Sequence, residues 1–384
     1  MLTAGIFYYS MEILLIDNDY CTRKGHHFPN LALMKLSTYH KQLGDNVRLA
    51  NISDIGNTLF NSDFDKAYVA KVFTDTVTPE YIPKNDSRII LGGSGFFYDK
   101  AERLQNEIEH CMPDYSLYNP IISKINKNYQ HYYTDYSIGF TTRGCIRKCD
   151  FCINRNETHV YKHSDISDFL DITKPFIMLL DDNILAYKNY KEVFEQLNKT
   201  GKKFVFKQGM DFRLLTEDKI KMLIESNYLN VMHFAFDNIA DKELIIKKFE
   251  MWTKIKKIGS GQMLFYVFAG FDRLEKYDND FYLRDISEII ERVEILFKYG
   301  AYPYLMLHKN ITKNPYNKYI QRLRKVLNSP LMLNNKTIKA ALIQDKKEDV
   351  VEWLQKLGYN SFLANGYYSN NDRRLKDAVS YACS

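Results

Sequence analysis

The amino-acid sequence predicts an α/β protein in three parts: a small Rossmann-like parallel sheet, a partial (β/α)6 barrel of the TIM type, and a small α-rich C-terminal subdomain. Short apolar strands alternate with amphipathic helices in two separate runs, which is the pattern of parallel sheets. The 384 residues are 45% hydrophobic, which is enough for two or three domains with a large core. We expect domains at 1–110 and 137–310, a connector at 111–136 and a capping subdomain at 311–384.

The first run of strands and helices starts at residue 12. The segment 31–44 has helical spacing and ends at Gly44, which favours termination of a helix. The connector is rich in Asn, Tyr and Pro with little periodicity, so we expect it to pack over the surface. The predicted strands of this run are EILLID (12–17), NVRLA (46–50), KAYVAKVF (66–73) and RIILGG (88–93).

The second run contains six apolar strands with helices between them, which predicts most of a barrel. Thr216, followed by Glu217 and Asp218, predicts a capped helix start. The pattern KEDVVEWLQKLG predicts a further helix in the C-terminal subdomain. The strands are expected at 136–142, 176–182, 203–208, 231–236, 263–270 and 302–307, and the helices at 190–201, 216–227, 241–257 and 285–300.

Charge and cysteine usage narrow the class of protein. The net charge of +6 is spread along the chain, which disfavours a nucleic-acid surface. The opening MLTAGIFYYS lacks a basic region and a cleavage site, and no apolar run approaches the length of a membrane span. Three of the six cysteines are isolated in sequence, which is untypical of a secreted disulfide framework. We therefore expect a cytoplasmic protein without a membrane partner.

The remaining cysteines form a C-x3-C-x2-C motif directly after the first barrel strand: Cys145, Cys149 and Cys152. Loops that follow barrel strands open on the catalytic face. A structural zinc site needs four ligands, and the neighbouring sequence supplies no fourth Cys or His. Three thiolates suit a four-iron cluster that leaves one iron without a protein ligand.

The stretch GCIRKCDFC resembles the signature of the radical SAM superfamily, and the barrel pattern extends the resemblance over about 138–310. The resemblance implies a [4Fe-4S] cluster on the three cysteines, with S-adenosylmethionine bound to the open iron. It also implies reductive cleavage to a 5′-deoxyadenosyl radical, fed by an electron donor such as flavodoxin or ferredoxin. Arg143, Arg147 and Lys148 would offset the charge of the cluster.

The resemblance also implies residues that bind S-adenosylmethionine. Asp181, Asp182 and Asn183 stand where the superfamily commonly has a Gly-Gly-Glu-like turn for the methionine ammonium. Arg213 is the candidate partner of the methionine carboxylate. Phe151 resembles the aromatic position near the adenine. The other expected cofactor contacts follow later strands: Gln208, Phe236 with Asp237 and Asn238 near the ribose, and Gly270 near the adenine.

The first domain resembles the cobalamin-binding-like domain of many radical SAM enzymes over about 11–97, through HHFPNLALMKLSTYHKQLGDNVRLAN and LGGSGFF. The histidine ligand motif of that domain is absent after Asp17, which argues against cobalamin. His26 and His27 are the alternative ligands. An empty sheet would instead form one wall of the substrate pocket.

The overall layout resembles that of queuine lyases, which release 7-aminomethyl-7-deazaguanine, so queuine is the specific substrate expectation among small polar metabolites. Asp237 or Asp19 would accept hydrogen bonds from its guanine-like edge. Three alternatives are a cobalamin-dependent methyltransferase, RNA methylthiolation, which the lack of further N-terminal cysteines disfavours, and a non-catalytic iron-sulfur or zinc module that binds nucleic acid. The sequence leaves the oligomeric state open, and a homo-oligomer is among the options. The expected substrate contacts are Asp19, Phe28, Asn30, His233, Tyr266, Tyr304 and His308.

Overall fold

The computed structural model describes residues 10–23, 28–50, 64–80, 82, 85–259 and 262–367. His26 and His27 lie outside the described residues. The N-terminal unit is a four-stranded parallel sheet, as the sequence predicts, and its strand order is β2-β1-β3-β4. Its elements are β1 (Glu12–Asp17), α1 (Asn18–Thr22), α2 (Leu31–Gln42), β2 (Asn46–Leu49), β3 (Lys66–Ala70), β4 (Ile89–Gly92), α3 (Ser94–Phe97) and α4 (Asn106–Glu109), and the connector that follows contains α5 (His131–Thr134).

Six parallel strands follow in chain order and form the partial barrel. Two three-stranded sheets, β5-β8-β9 and β10-β11-β12, are joined by bridges such as Met210 to Phe234. The elements are β5 (Tyr136–Gly139), β6 (Thr142–Arg143), β7 (Tyr161–Lys162), β8 (Phe176–Leu179), α6 (Tyr190–Lys199), β9 (Lys203–Phe206), α7 (Glu217–Glu225), β10 (Met232–Ala235), α8 (Lys242–Ile255), β11 (Met263–Ala269), α9 (Asn279–Lys298) and β12 (Tyr302–Leu307).

Side chains alternate between the helices outside the barrel and its interior, as a strand requires. Phe234 points outward, where it meets Phe265 of β11 and Trp252 of α8. Its neighbour His233 therefore points inward. The same alternation turns Tyr266 inward, where its ring lies near that of His233.

The C-terminal subdomain continues the barrel core. Tyr302 in β12 donates a hydrogen bond to the Leu327 carbonyl of α10, and Asn328 accepts one from the Leu305 backbone at 2.7 Å. The cap therefore packs on the last barrel strand. Its elements are α10 (Asn317–Leu327), α11 (Pro330–Leu333), β13 (Lys336–Thr337), α12 (Ile338–Gln344), α13 (Glu348–Lys356), α14 (Asn360–Ala364) and β14 (Gly366–Tyr367).

The connector differs from the expectation that it packs over the surface. Tyr118, Ile121 and Tyr132 are each at most 2% exposed and lie in a core shared with β1, α2 and the interior of the barrel. Their aromatic and aliphatic bulk fills the space between the two sheets. The connector thus joins the N-terminal unit and the barrel into one packed body.

Two element boundaries also differ from prediction, each for a local reason. The first barrel strand ends at Gly139, and the chain resumes a strand only at Thr142, because the end of β8 holds the intervening turn. Helix α9 starts six residues before the predicted position, because the Asp278 side chain accepts a hydrogen bond from the Phe281 backbone and caps it. The predicted cap at Thr216 is confirmed.

Across the described residues, no helix combines the length and apolar character needed to cross a bilayer.

Candidate active site

The three cysteines lie on a loop at the carboxyl end of the first barrel strand, and the end of β8 holds that loop in place. Asp182 accepts hydrogen bonds from the Gly144 backbone at 2.8 Å and from the Asn154 side chain at 2.7 Å. These two contacts lie just before Cys145 and just after Cys152. One carboxylate therefore holds both ends of the cysteine loop.

Asp181 fixes the segment that leads into the loop. Its carboxylate, 2% exposed, accepts hydrogen bonds from the backbone and hydroxyl groups of both Thr141 and Thr142 at 2.6 to 3.0 Å. Burial raises the pKa of Asp181 and also that of Asp182. In this structure both carboxylates position the loop backbone.

Gly144 is required at the start of the loop. Its φ is +89°, and a Cβ placed there would lie 2.3 Å from the carbonyl oxygen of His159. A side chain would be strained by the dihedral and blocked by the backbone. The glycine lets the loop turn against the hairpin of β6 and β7.

The sulfur atoms accept weak hydrogen bonds from their surroundings. Cys145 accepts from the Arg147 backbone at 3.3 Å and from the Asn183 amide at 3.4 Å, and Cys152 accepts from the Asn154 backbone at 3.4 Å. N–H groups directed at sulfur favour the thiolate and are typical around iron-sulfur clusters. The amide group of Asn183 also has an oxygen, Oδ1, which is buried and has no hydrogen-bond partner in the structure.

The thiols are electrostatically coupled to one another. Burial raises the pKa of Cys149 to about 11, with further contributions from Asp237 and the neighbouring cysteines, and burial also raises the pKa of Cys152. Binding of a metal cluster here would therefore release protons. In the described part of the chain, no three His, Cys, Asp or Glu side chains converge to hold a single metal ion. Thiolates of a cubane bind different iron atoms, so they need not converge on one point.

The arginines near the loop are engaged with carboxylates. Arg147 and Arg213 both bind Asp211 at 2.8 Å, and Arg213 also donates to Asp241 at 2.6 Å. Burial would raise the pKa of Asp211, but the hydrogen bonds from Arg213 and Arg147 outweigh it and lower that pKa. Arg147 thus reaches the loop after β9 instead of facing the sulfurs.

Three expected groups occupy surroundings different from those predicted. Arg143 lies over the Phe140 ring at 3.4 Å and near Glu109 at 3.6 Å, so it does not face the cysteines. The space above Gly270, expected to admit adenine closely, is taken by Ile311, since a Cβ on Gly270 would lie 3.0 Å from that side chain. Gln208 is exposed beyond the end of β9.

The ends of β10 and β11 are joined by a buried arginine that the sequence did not reveal. Arg292 of α9, 1% exposed, donates to the carbonyl oxygens of Phe236, Asp237 and Phe268 at 2.8 to 3.1 Å. Asp237 in turn accepts from the Phe268 backbone at 3.2 Å, and burial raises the pKa of Asp237 to about 6. The only available signal was an arginine on the apolar face of an amphipathic helix.

An aromatic surface adjoins the cysteine loop. The ring of Phe151 lies 4.1 Å from that of Phe268 and 5.8 Å from that of Phe271, and His308 contacts Phe271 edge-on at 5.2 Å. Phe151, expected near the adenine, and His308, an expected substrate contact, therefore border the same aromatic surface. The sequence did not single out Phe268 and Phe271 as site residues, because apolar residues at the end of a strand usually belong to the hydrophobic core.

Residues that follow β4 in the N-terminal unit contact the cysteine loop and the residues just after it. Tyr98 donates to the Phe151 carbonyl at 2.7 Å, and Asp99 binds Arg155 at 2.7 Å. Arg103 continues the contact through Glu157 at 2.8 Å. The segment after β4 thus forms one wall beside the loop.

Three expected substrate contacts lie within the N-terminal unit or the connector core. Both oxygens of Asp19, which is fully buried, accept hydrogen bonds from the turn after β3, including the Val72 backbone at 2.6 Å. Asn30 caps α2 by accepting from the Leu33 backbone at 3.2 Å. Phe28 packs edge-on against Tyr132 at 5.6 Å. The structure therefore gives Asp19 and Asn30, which we expected to contact the substrate, hydrogen bonds within the N-terminal unit.

The remaining predicted contacts meet inside the barrel. His233 and Tyr266 lie with their rings 6.0 Å apart and nearly parallel, and Tyr304 meets Tyr266 edge-on at 6.0 Å. These side chains belong to three consecutive strands. They line the interior below the level of Asp237.

Comparison with known proteins gives one structural likeness. No family model matches the chain, and no curated protein matches it in sequence. The fold is similar to that of the cobalamin-dependent S-adenosylmethionine radical enzyme OxsB, solved with aqua-cobalamin and S-adenosylmethionine bound, at 14% identity and a TM-score of 0.49. The match covers 97% of this chain and 66% of that one, so this chain spans about two thirds of that enzyme. The expectation against cobalamin is corrected by this neighbour, which holds the cofactor, and is withdrawn.

Proposed function

We propose that this protein is a radical SAM enzyme that binds a [4Fe-4S] cluster through Cys145, Cys149 and Cys152. The observation that supports this most is the cysteine loop itself. It lies at the carboxyl end of a six-stranded parallel barrel, and donors at Arg147, Asn154 and Asn183 are directed at its sulfurs. A cluster bound there would supply the electron that cleaves the sulfonium of S-adenosylmethionine.

The chain offers a group for each part of S-adenosylmethionine. The buried Oδ1 of Asn183, which has no partner, would accept from the methionine ammonium. Arg213 would turn part of its fork from Asp211 to the methionine carboxylate. The rings of Phe151 and Phe268 would pack against the adenine. Of the remaining expected contacts, Gln208 and Phe236 with Asp237 would border the ribose, whereas Ile311 takes the space beside Gly270.

The test is anaerobic reconstitution with iron and sulfide, reduction with dithionite and measurement of 5′-deoxyadenosine. We expect the product from wild-type protein and none from Cys149→Ser, because that variant loses one of three ligands. Cys111→Ser is the matched control, since Cys111 lies away from the loop, beside Gln42 and Glu107. Equal product from the Cys149 and Cys111 variants would contradict the proposal.

A finer assignment that we favour is a cobalamin-dependent methyltransferase. Ligands of open α/β sheets bind at the carboxyl ends of the strands. At that end of β1 the Asn18 side chain is fully buried; its Nδ2 donates to the Val77 carbonyl at 3.4 Å, while its Oδ1 accepts no hydrogen bond. The segment after β4 also contacts the cysteine loop, as transfer between two cofactors would require. Protein that is incubated with hydroxocobalamin and desalted should keep a corrinoid absorption band, and its loss on desalting would exclude this assignment.

The lyase assignment competes with methyl transfer on the same barrel. In it, Asp237 would accept from the guanine-like edge of queuine, with its carboxyl group placed at the end of β10. The buried Asp237 carboxyl has a raised pKa of about 6, so it would be mostly ionised at neutral pH and able to accept. Incubation of reduced enzyme with S-adenosylmethionine and queuine should then release 7-aminomethyl-7-deazaguanine. Absence of that product, with 5′-deoxyadenosine still formed, would exclude queuine.

A further inference from the structure

His233 in β10 is a buried polar side chain whose hydrogen-bonding capacity is unused. The residue is 2% exposed, and neither ring nitrogen has a hydrogen-bond partner in the structure. It points into the barrel, because its neighbour Phe234 packs outward on Trp252. Burying such a group without a partner costs about 1–3 kcal/mol, so an unused imidazole in a barrel interior indicates a ligand.

The neighbouring side chains do not satisfy His233. The Tyr266 ring lies parallel to the imidazole at 6.0 Å, while its hydroxyl donates to the Lys207 carbonyl at 3.0 Å. Tyr304 contacts Tyr266 on the side of β12. The two tyrosines therefore form walls beside the imidazole and leave its nitrogens available.

A positive charge lies beside this site. The Nζ atom of Lys207 is buried and lies 5.5 Å from the centre of the Tyr132 ring, which closes the barrel from the connector side. Burial and the charge of Lys207 lower the pKa of His233 to about 3. The imidazole is therefore neutral at physiological pH and carries one N–H donor and one acceptor nitrogen. A buried cation next to a neutral N–H donor attracts an anion more strongly than it would in water.

We propose that His233 and Lys207 bind an oxyanion of the substrate, a carboxylate in the first instance, at the floor of the barrel. This inference rests on the proposed function, which places the reacting groups at the mouth. Asp237 lies four residues further along the chain, just beyond the end of β10, at most about 13 Å away at roughly 3.3 Å per extended residue. The substrate class is thus an elongated organic acid with its acidic group at the floor and its reacting carbon near the cysteine loop.

The test uses the reconstituted full chain and measures its thermal unfolding midpoint with hexanoate, inorganic phosphate or hexylammonium at constant ionic strength. Hexanoate should raise the midpoint of the wild type, and hexylammonium should not. His233→Phe should abolish the effect of hexanoate on the midpoint, and His233→Gln should keep part of that effect. Lys207→Met should weaken the binding of hexanoate about tenfold. His110→Phe, at the edge of the N-terminal unit, is the matched control and should respond like wild type.

The outcomes are separable. A phosphate effect lost in His233→Phe would also support an oxyanion site and indicate a phosphorylated substrate. Equal hexanoate effects in wild type and His233→Phe, or none in wild type, would overturn the inference. Removal of the hexanoate effect by S-adenosylmethionine would also overturn it, because the site would then hold the methionine carboxylate. 5′-Deoxyadenosine formation by wild type is measured in parallel without substrate, and its absence would instead count against the proposed function.

Discussion

At the scale of single residues, Asp17 at the end of β1 couples folding to pH. It is 1% exposed, and it accepts from the Tyr118 hydroxyl at 2.7 Å and the Tyr20 backbone at 3.1 Å. Burial raises its pKa to about 7 despite these donors. A raised carboxyl pKa contributes stability that is present below pH 4 and lost as pH rises through 7, by roughly 4 kcal/mol. Asp17→Asn cannot ionise and should not show this loss. In urea unfolding from pH 4 to 8, the free energy of unfolding of the variant should therefore rise relative to that of wild type. Asp218→Asn, at an exposed position, should track wild type, and a parallel pH dependence of Asp17→Asn and wild type would refute the prediction.

At the scale of elements, the cysteine loop depends on the turn after β8. Asp182 accepts from Gly144 and Asn154, at both ends of the loop. Asp182→Asn keeps the shape of the side chain but replaces a charged acceptor with a neutral, weaker one. The weaker hydrogen bonds should cost about 1–2 kcal/mol. We expect reconstituted iron and acid-labile sulfide per chain to fall, while the circular dichroism of the fold is kept. Asp165→Asn, in an exposed pair with Lys162, is the control, and full cluster content in Asp182→Asn would show that the loop holds without this carboxylate.

The same elements show what the sequence could predict. Alternating apolar strands and amphipathic helices predicted both sheets and the parallel barrel, because hydrophobic periodicity records which face is buried. The cysteine spacing predicted the loop, since thiols three and four residues apart are a local feature. The contacts of Asp19, Asn30 and Asp182 could not be predicted, because they depend on which turn each carboxylate or amide meets across 3 to 57 residues of chain. Arg292 was missed for the same reason: its partners are backbone carbonyls on two strands that precede its helix.

At the scale of the whole molecule, Glu109 of α4 joins the N-terminal unit to the hairpin beside the cysteine loop. It is 8% exposed and binds Lys35 of α2 at 2.8 Å, His163 after β7 at 3.2 Å and Arg143 of β6 at 3.6 Å. Burial alone would raise the pKa of Glu109, but hydrogen bonds from His163 and Lys35 outweigh it and hold that pKa at about 2. Its contribution to stability is therefore present above pH 4.5 and lost as pH falls through 2.

Glu109→Gln leaves Lys35 and Arg143 buried without their carboxylate, a loss of about 3–5 kcal/mol. Since the N-terminal unit and the hairpin share this carboxylate, we expect a lower urea midpoint at pH 7, faster proteolysis in the connector, and lower cluster content than in wild type. Glu157→Gln removes an ion pair with Arg103 that is far more exposed, worth at most about 1 kcal/mol, so it should change these three readouts little. If Glu109→Gln lowered the urea midpoint but left proteolysis and cluster content unchanged, Glu109 would stabilise its own unit without coupling it to the cysteine loop.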